Sequence, residues 1–252
     1  MAANILEIRD LVDVVSHHTI IDHLDFAIEE GELRVLVGPN GAGKTTLIDL
    51  ITGRHRPTAG QILFKGERID GRARHEIYRL GISRKFQVPT VYDNLTVFEN
   101  MSIGLRGHRS VFSSLGYRIT PAAAEQIERI LAEINLLERA RDEALTLSHG
   151  EKQWLEIGMV VASDPQLLLL DEPTTGMTRE ETNATARLIR DIAKTRSVMV
   201  VEHDMSFVRQ IARTITVLHQ GGKLAEGSVR DVENNPRVAE VYLGKAKISA
   251  AS

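Results

Sequence analysis

The chain has 252 residues, 42% of them hydrophobic and 26% charged, enough to bury one large core or two small lobes. Its 31 Lys+Arg against 34 Asp+Glu give a formal net charge of -3, without the basic excess of a nucleic-acid or anionic-membrane binder, and the lack of cysteine excludes disulfides, thiolate metal sites and a thiol nucleophile. MAANILEIRD at the start has no apolar signal core, and the greasiest run, QLLLLDEP, is too short to cross a bilayer, so work at a membrane would need other subunits to span it.

Short apolar strands alternating with helical patterns, without internal repeats or low-complexity linkers, predict an α/β fold. Strands are expected at about 4–9, 23–28, 33–37 and 60–64. ELRVLVGPNGAGKTTLIDLIT reads as a strand, a glycine-rich turn and a helix from about Gly43, the opening half of a nucleotide-binding βαβ unit. From about Val88 to Val161 strand signals fade and helices dominate; there Thr120 caps a helix that begins with Pro121. QLLLLD and RSVMVVE read as buried parallel strands separated by a helix from about Arg179 to Lys194. ITVLHQGGKLAEGS holds two strand-like pieces around Gly221 and Gly222, PRVAEVYLG a last helix, and KAKISAAS a frayed tail. The expected organisation is a core lobe of about 1–87 and 162–244, a helical arm of about 88–161 and a tail of about 245–252.

The chemistry starts at GPNGAGKT, Gly38 to Thr45, which fits G-x-x-x-x-G-K-[ST] between a strand and a helix, the context that pattern requires. Gly38, Pro39, Asn40, Gly41, Ala42 and Gly43 would curl successive backbone N–H groups around phosphate oxygens. Lys44 would bring positive charge to the β and γ phosphates, Thr45 its hydroxyl to Mg²⁺, and Thr46 completes the first helical turn. LLLLDEP delivers Asp171 to the carboxyl end of a buried strand, where ligands of open α/β sheets sit, and so into the Mg²⁺ shell. Glu172 follows it, placed to act as general base toward the water attacking the γ-phosphate; read structurally, it is an acidic cap for the next helix. VVEHDM repeats the geometry one strand later and ends at His203, which favours contact with the γ-phosphate or the water over a purely structural histidine. Gln87, where a strand gives way to the helical arm, is placed to touch Mg²⁺ or water, a reading that depends on the other motifs.

LSHGEKQW raises a different matter. Ser148 and Gly150 open a helix and form a second anion site, with free N–H groups and a helix dipole aimed outward, roughly a hundred positions after the first. Since one nucleotide's phosphates are already held by Gly38 to Thr46, the economical reading is that Ser148 serves a nucleotide on another molecule, with ATP sandwiched between two subunits. Ser148 with Glu151 at the third helical position is also a capping box, and the two roles are compatible.

In order and spacing, GPNGAGKT, Gln87, LSHGE, LLLLDEP and His203 resemble the ATP-binding cassette (ABC) ATPases over nearly the whole chain. The resemblance implies a P-loop cassette with a mixed-sheet RecA-like core and an inserted helical subdomain, hydrolysing ATP with Mg²⁺. It also implies that two cassettes pair head to tail, with Ser148, His149, Gly150 and Glu151 acting across the interface. RKFQVPTVYDNLTVFENMSIGL, HGEKQWLEIGM, DEPTTGMT and AEVYLG are similar to the branch that powers branched-chain amino acid and urea or short-chain amide importers, and GISRKFQVPTV with SHGEKQWLEIG to its urea-uptake members. The partners so implied are a sister ATPase subunit or a second copy of this chain, transmembrane permease subunits and, indirectly, a periplasmic solute-binding protein. The place implied is the cytoplasmic face of the inner membrane.

The chain departs from that pattern at three places. Val15, with His17 and His18 beside it, stands where an aromatic residue usually stacks on adenine, a contact worth about 1–3 kcal/mol. His149 replaces the second signature glycine, as the urea-type branch leads one to expect, and Glu151 the usual glutamine. Thr178 aligns with the aspartate that usually follows the DEP segment, while Glu172 and His203 are kept for hydrolysis. A soluble mechanical ATPase acting on DNA or ribosomes is the competing class, disfavoured by the single cassette, the missing coiled-coil insertion and the mild acidity. A scaffold that no longer hydrolyses is suggested only by Val15 and Thr178.

Overall fold

The computed structural model describes residues 3–85, 91–105 and 119–241. Two long strands, β1 (Asn4–Val15) and β2 (His18–Glu29), open the chain as an antiparallel hairpin, followed by β3 (Leu33–Val37) and α1 (Lys44–Ile51). Next come β4 (Ala59–Phe64), the two-residue β5 (Glu67–Arg68), α2 (Arg74–Leu80) and β6 (Ile82–Lys85). Helices α3 (Val97–Gly104), α4 (Pro121–Glu133) and α5 (His149–Val161) precede β7 (Leu167–Asp171). The rest is α6 (Arg179–Ile192), β8 (Ser197–Val201), α7 (Met205–Ile211), β9 (Thr214–His219), β10 (Gly222–Gly227) and α8 (Val229–Glu233).

The strands form two sheets. One is antiparallel, in the order β2-β1-β4-β5; the other, β10-β9-β3-β8-β7-β6, is parallel except for its antiparallel edge strand β10. A strand covered on both faces has no reason to alternate polar and apolar residues, and LRVLV, LLLLD and SVMVV are buried at every position. Successive side chains still point to opposite faces. Leu167 and Leu169 therefore join Met199, Val201, the β1–β2 hairpin and α1 in the core between the sheets. Leu168 and Leu170 join Val198, Val200 and residues of α3 to α7 in the core on the other side.

The first two strands run well past the expected 4–9 and 23–28. Register shifts between Ile8 and Leu11, Leu11 and Asp13, and Asp13 and Val14 break their alternation, so no period-2 pattern marks their full length. Asp10 and His23, both at positive φ, face each other across this irregular part with Nδ1 of His23 2.6 Å from Asp10 Oδ1. The helix expected to reach Lys194 ends at Ile192. The expected last helix, PRVAEVYLG, is helical over its described residues 236–241, and α8, capped by Ser228, is a further helix before it, set apart at Asn234 and Asn235. The expected tail at 245–252 lies outside the described residues.

One buried ion pair ties the helices to the sheet. Lys85 at the end of β6 lies 3.3 Å from Glu156 of α5, both side chains about 95% buried, and Lys85 also donates to Gln153. Burial pushes the Lys85 ammonium below its ordinary range, opposed by the Glu156 carboxylate. Removing one member strands the other charge, at a cost of about 3–5 kcal/mol, whereas an apolar pair of similar volume is close to neutral. Glu156→Leu should therefore destabilise the fold by about that amount, and Lys85→Met/Glu156→Leu should recover most of it, read by urea denaturation.

Candidate functional site

The site is built by register. Val201 of β8 pairs with Leu36 of β3 on one side and with Asp171 of β7 on the other, so three neighbouring parallel strands end flush. Beyond the ladder, Glu172 N donates to Val201 O at 2.9 Å and Glu202 N to Leu36 O at 3.1 Å, carrying the pairing one residue into the loops. The loop after β3 holds Gly38 to Gly43, the loop after β7 holds Glu172, and the loop after β8 holds His203. The three segments therefore share the carboxyl edge of the sheet, where open α/β sheets bind ligands.

The first loop has a shape that only glycine supports at two points. A Cβ on Gly38 would lie 2.4 Å from Leu218 O of the adjacent β9. Gly43, at φ +100°, has Ile20 O and Ile21 Cδ1 of β2 pressed against it. Gly221, in the β9–β10 turn, donates from N to Ala42 O and accepts from Asp22 N, stitching the loop to the hairpin. The helical ladder begins with Leu47 N on Gly43 O, which leaves the N–H groups of the preceding turn aimed along the helix axis at the loop's mouth. Lys44 Nζ donates to Gly38 O at 2.6 Å and Pro39 O at 3.0 Å, so its charge is held over the concave side of the loop. Thr45 is exposed in that first turn and Thr46 is half-buried. This cradle fits the phosphates of a nucleotide. The hard oxygens of Thr45 and Asp171 fit Mg²⁺, which takes few protein ligands and completes its shell with phosphate and water.

The two carboxylates at the end of β7 have different surroundings. Asp171 is buried and accepts from Arg84 Nη2 at 2.9 Å, while the same guanidinium donates from Nη1 to Asp49 of α1. Burial pushes the Asp171 carboxyl up, and the Arg84 charge opposes it. Glu172 sits at φ +46°, half-buried, with Oε1 3.3 Å from His203 Nδ1 and Oε2 accepting from Thr175 Oγ1 at 3.3 Å. Behind them Glu202 is buried, accepting from Thr174 Oγ1 at 2.7 Å and from His203 N at 3.1 Å. Burial raises its carboxyl above the usual range against those hydrogen bonds.

Ser148 caps α5 in a reciprocal box: Glu151 N donates to Ser148 Oγ at 3.2 Å and Ser148 N to Glu151 Oε2 at 2.7 Å. The other Glu151 oxygen takes Arg139 Nη1 at 2.9 Å, so both of its oxygens are spent on shaping the helix start, and Glu151 is a support of this segment rather than a group offered to a phosphate. Gly150 is buried, and His149 Nε2 lies 3.1 Å from Thr175 O in the loop after Glu172. Val15 is exposed at the end of β1 and pairs across the hairpin with His18; Ser16 and His17, both at positive φ, make the two-residue turn between them. Gln87 lies outside the described residues. Arg84, Glu202 and Glu181, the last of which accepts from Ser148 Oγ at 3.1 Å, are members that pattern reading missed; each matters through a contact with a residue distant in sequence.

A phosphate cradle, a carboxylate and an imidazole at one sheet edge are the parts needed to transfer a phosphoryl group to water. Similarity points the same way. The profile described as ABC transporter matches residues 21–175, and one described as branched-chain amino acid ATP-binding cassette transporter matches residues 223–248. The chain is 36% identical to the high-affinity branched-chain amino acid transport ATP-binding protein BraF of Pseudomonas aeruginosa, covering 98% of this chain and 100% of that one. It is 32% identical to the corresponding LivG protein of Escherichia coli, with the same coverage of 98% and 100%. Among solved structures, the ADP conformation of MJ1267, an ATP-binding cassette of an ABC transporter, superposes with a TM-score of 0.85 at 27% identity over 96% of this chain and 99% of that one. Since Lys44 sets its charge over the loop's carbonyls, Lys44→Ala should weaken nucleotide binding by about tenfold or more in calorimetry, the scale of one hydrogen bond to a charged group.

Proposed function

The chain belongs to the ABC transporter family of ATP-binding cassettes, and from that footing we propose that it is the ATP-hydrolysing subunit of an importer for urea or short-chain amides. The observation that carries the hydrolytic role is Glu172 Oε1 lying 3.3 Å from His203 Nδ1 at the strand end beside the phosphate loop. The loop N–H groups and Lys44 hold the nucleotide's phosphates. Glu172 accepts a proton from the attacking water, and His203 holds that carboxylate and the water in line. Mg²⁺, held by Thr45, Asp171 and Gln87, would supply charge neutralisation between the β and γ phosphates. Val15 and the imidazoles at the hairpin tip would meet the adenine.

Ser148, His149 and Gly150 are read as serving a nucleotide carried by a second cassette, either a sister subunit or a copy of this chain, so that ATP closes the pair and hydrolysis opens it. ATP drives such a cycle only through its preference for the closed state. Residues 88–161 would form the arm that receives the permease's cytoplasmic helix, placing the subunit at the cytoplasmic face of the inner membrane with a periplasmic solute-binding protein beyond. No helix among the described residues is long and apolar enough to cross a membrane, consistent with permease subunits doing so. The urea or amide reading rests on GISRKFQVPTV and SHGEKQWLEIG. A branched-chain amino acid importer is the second reading, favoured by the names of BraF and LivG and by the match at 223–248.

Glu172→Gln should cut ATP turnover by about a hundredfold or more while leaving ATP binding within about twofold, measured by phosphate release and calorimetry. Unchanged turnover would remove Glu172 from the catalytic role. In a strain lacking the gene, uptake of labelled urea at low concentration should return with the wild-type gene and not with Glu172→Gln. If urea uptake is indifferent to the gene while leucine uptake follows it, the second reading replaces the first.

A further inference from the structure

The helix start at Ser148 is read above as the place where a second cassette's nucleotide docks, yet in the structure it already holds an anion from its own chain. Glu181, at the third position of α6, spans two helix starts. Its Oε2 accepts from Thr178 N and Thr178 Oγ1, both at 2.9 Å, in the reciprocal cap of α6. Its Oε1 accepts from Ser148 Oγ at 3.1 Å. The same oxygen is pressed onto Gly150, where an added Cβ would lie 2.3 Å away. A cap needs only the first set of bonds. The second set places a carboxylate oxygen on the hydroxyl and backbone that open α5, the position an anion seeks at a helix N-terminus.

We propose that Glu181 is an intramolecular latch on the signature segment: its carboxylate occupies Ser148 and Gly150, and the γ-phosphate of a nucleotide carried by a second cassette must displace it to close the pair. The latch rests on the proposed sandwich. Its electrostatics agree: the Thr178 N–H and hydroxyl hold the Glu181 carboxyl below the usual range, with smaller contributions from the Ser148 hydroxyl and the Gly150 N–H. Displacement costs little, because Oε2 keeps its two bonds to Thr178 and α6 stays capped. Its effect travels along a short path, since Thr178 ends the loop that begins at Glu172, and His149 is tied to Thr175 of that loop. Glu181 thereby sets how much ATP is needed for closure, and it acts as a positioning residue rather than a catalytic one.

Glu181→Asp separates the latch from the cap. Asp231 caps Ser228 by the same reciprocal bonds in α8, so aspartate can serve the α6 cap, but one methylene fewer withdraws the carboxylate from Ser148. In full-length protein carrying Glu172→Gln, to block turnover, the ATP concentration that half-saturates dimer formation in sedimentation velocity should fall about three- to tenfold with Glu181→Asp, the scale of one net hydrogen bond, at an unchanged melting temperature. The Gly150 amide, followed by NMR during titration with inorganic phosphate, should respond at about three- to tenfold lower concentration than in the parent. An ATP requirement that is unchanged or higher overturns the latch. If neither protein dimerises with ATP, the sandwich reading fails on its own, and the Gly150 response decides: an unchanged response overturns the latch, a stronger one upholds the occupied anion site.

Discussion

Everything at this site depends on the register that sets Val201 against Leu36 and Asp171 at once. A strand slipped by one residue would turn its side chains to the opposite face. Leu169 and Leu170 would exchange cores, and the carboxylate at the strand end would be carried away from the phosphate loop. The hydrophobic patterning of β7 and β8 alone cannot specify that register, because both strands are apolar on both faces. The polar ends supply what the middle lacks: the Glu172 N to Val201 O and Glu202 N to Leu36 O bonds pin the loops, and the Arg84 guanidinium between Asp49 and Asp171 ties α1 and β7 together through β6.

That guanidinium also shows how the site balances charge. Two carboxylates converge on Arg84, which is itself buried, and among the described residues its Nε is without a hydrogen-bond partner. A buried cation left partly unsatisfied costs free energy unless the surrounding ion pairs offset it. The neighbouring Lys44 makes the contrasting arrangement, with its ammonium on two backbone carbonyls, which are neutral acceptors that a phosphate oxygen outcompetes. Arg84 holds the frame between fixed anions. Lys44 donates to carbonyl dipoles on the concave side of the loop, which suits a group that must turn to a ligand.

The phosphate loop, the buried strands and the Ser148 cap were legible in the sequence because each rests on local chemistry, whereas the contact between Glu172 and His203 came only with the fold. A glycine at φ +100°, a serine three residues before a glutamate, and an unbroken apolar run ending in an acid are readable within a few positions. The full length of β1 and β2 was hidden because bulges break their alternation, and α2 because seven residues show too little period. Arg84, Glu202 and Glu181 were hidden for a different reason. Arginine and glutamate are ordinary on any surface, and only the fold reveals that Arg84 reaches Asp171 across 87 positions and Glu181 reaches Ser148 across 33.

Adjacent acids at the end of a strand would ordinarily point to opposite faces, one inward and one away. Here the chain leaves the strand at once. Glu172 adopts φ +46°, a left-handed conformation that costs a non-glycine residue about 1–2 kcal/mol, and the bonds from Glu172 N to Val201 O and from Thr175 N to Glu172 O hold it there. The turn keeps both carboxyls at the sheet edge but in different media. Asp171 stays buried against Arg84, and Glu172 opens toward solvent beside His203, whose side chain is 60% exposed. A buried acid paired with a fixed cation can hold position but exchanges protons poorly, whereas an acid reached by water can take a proton from it. Under the proposed hydrolytic role, one strained residue thus divides the labour between two neighbours of nearly the same chemistry, and the strain is located where that division would be needed.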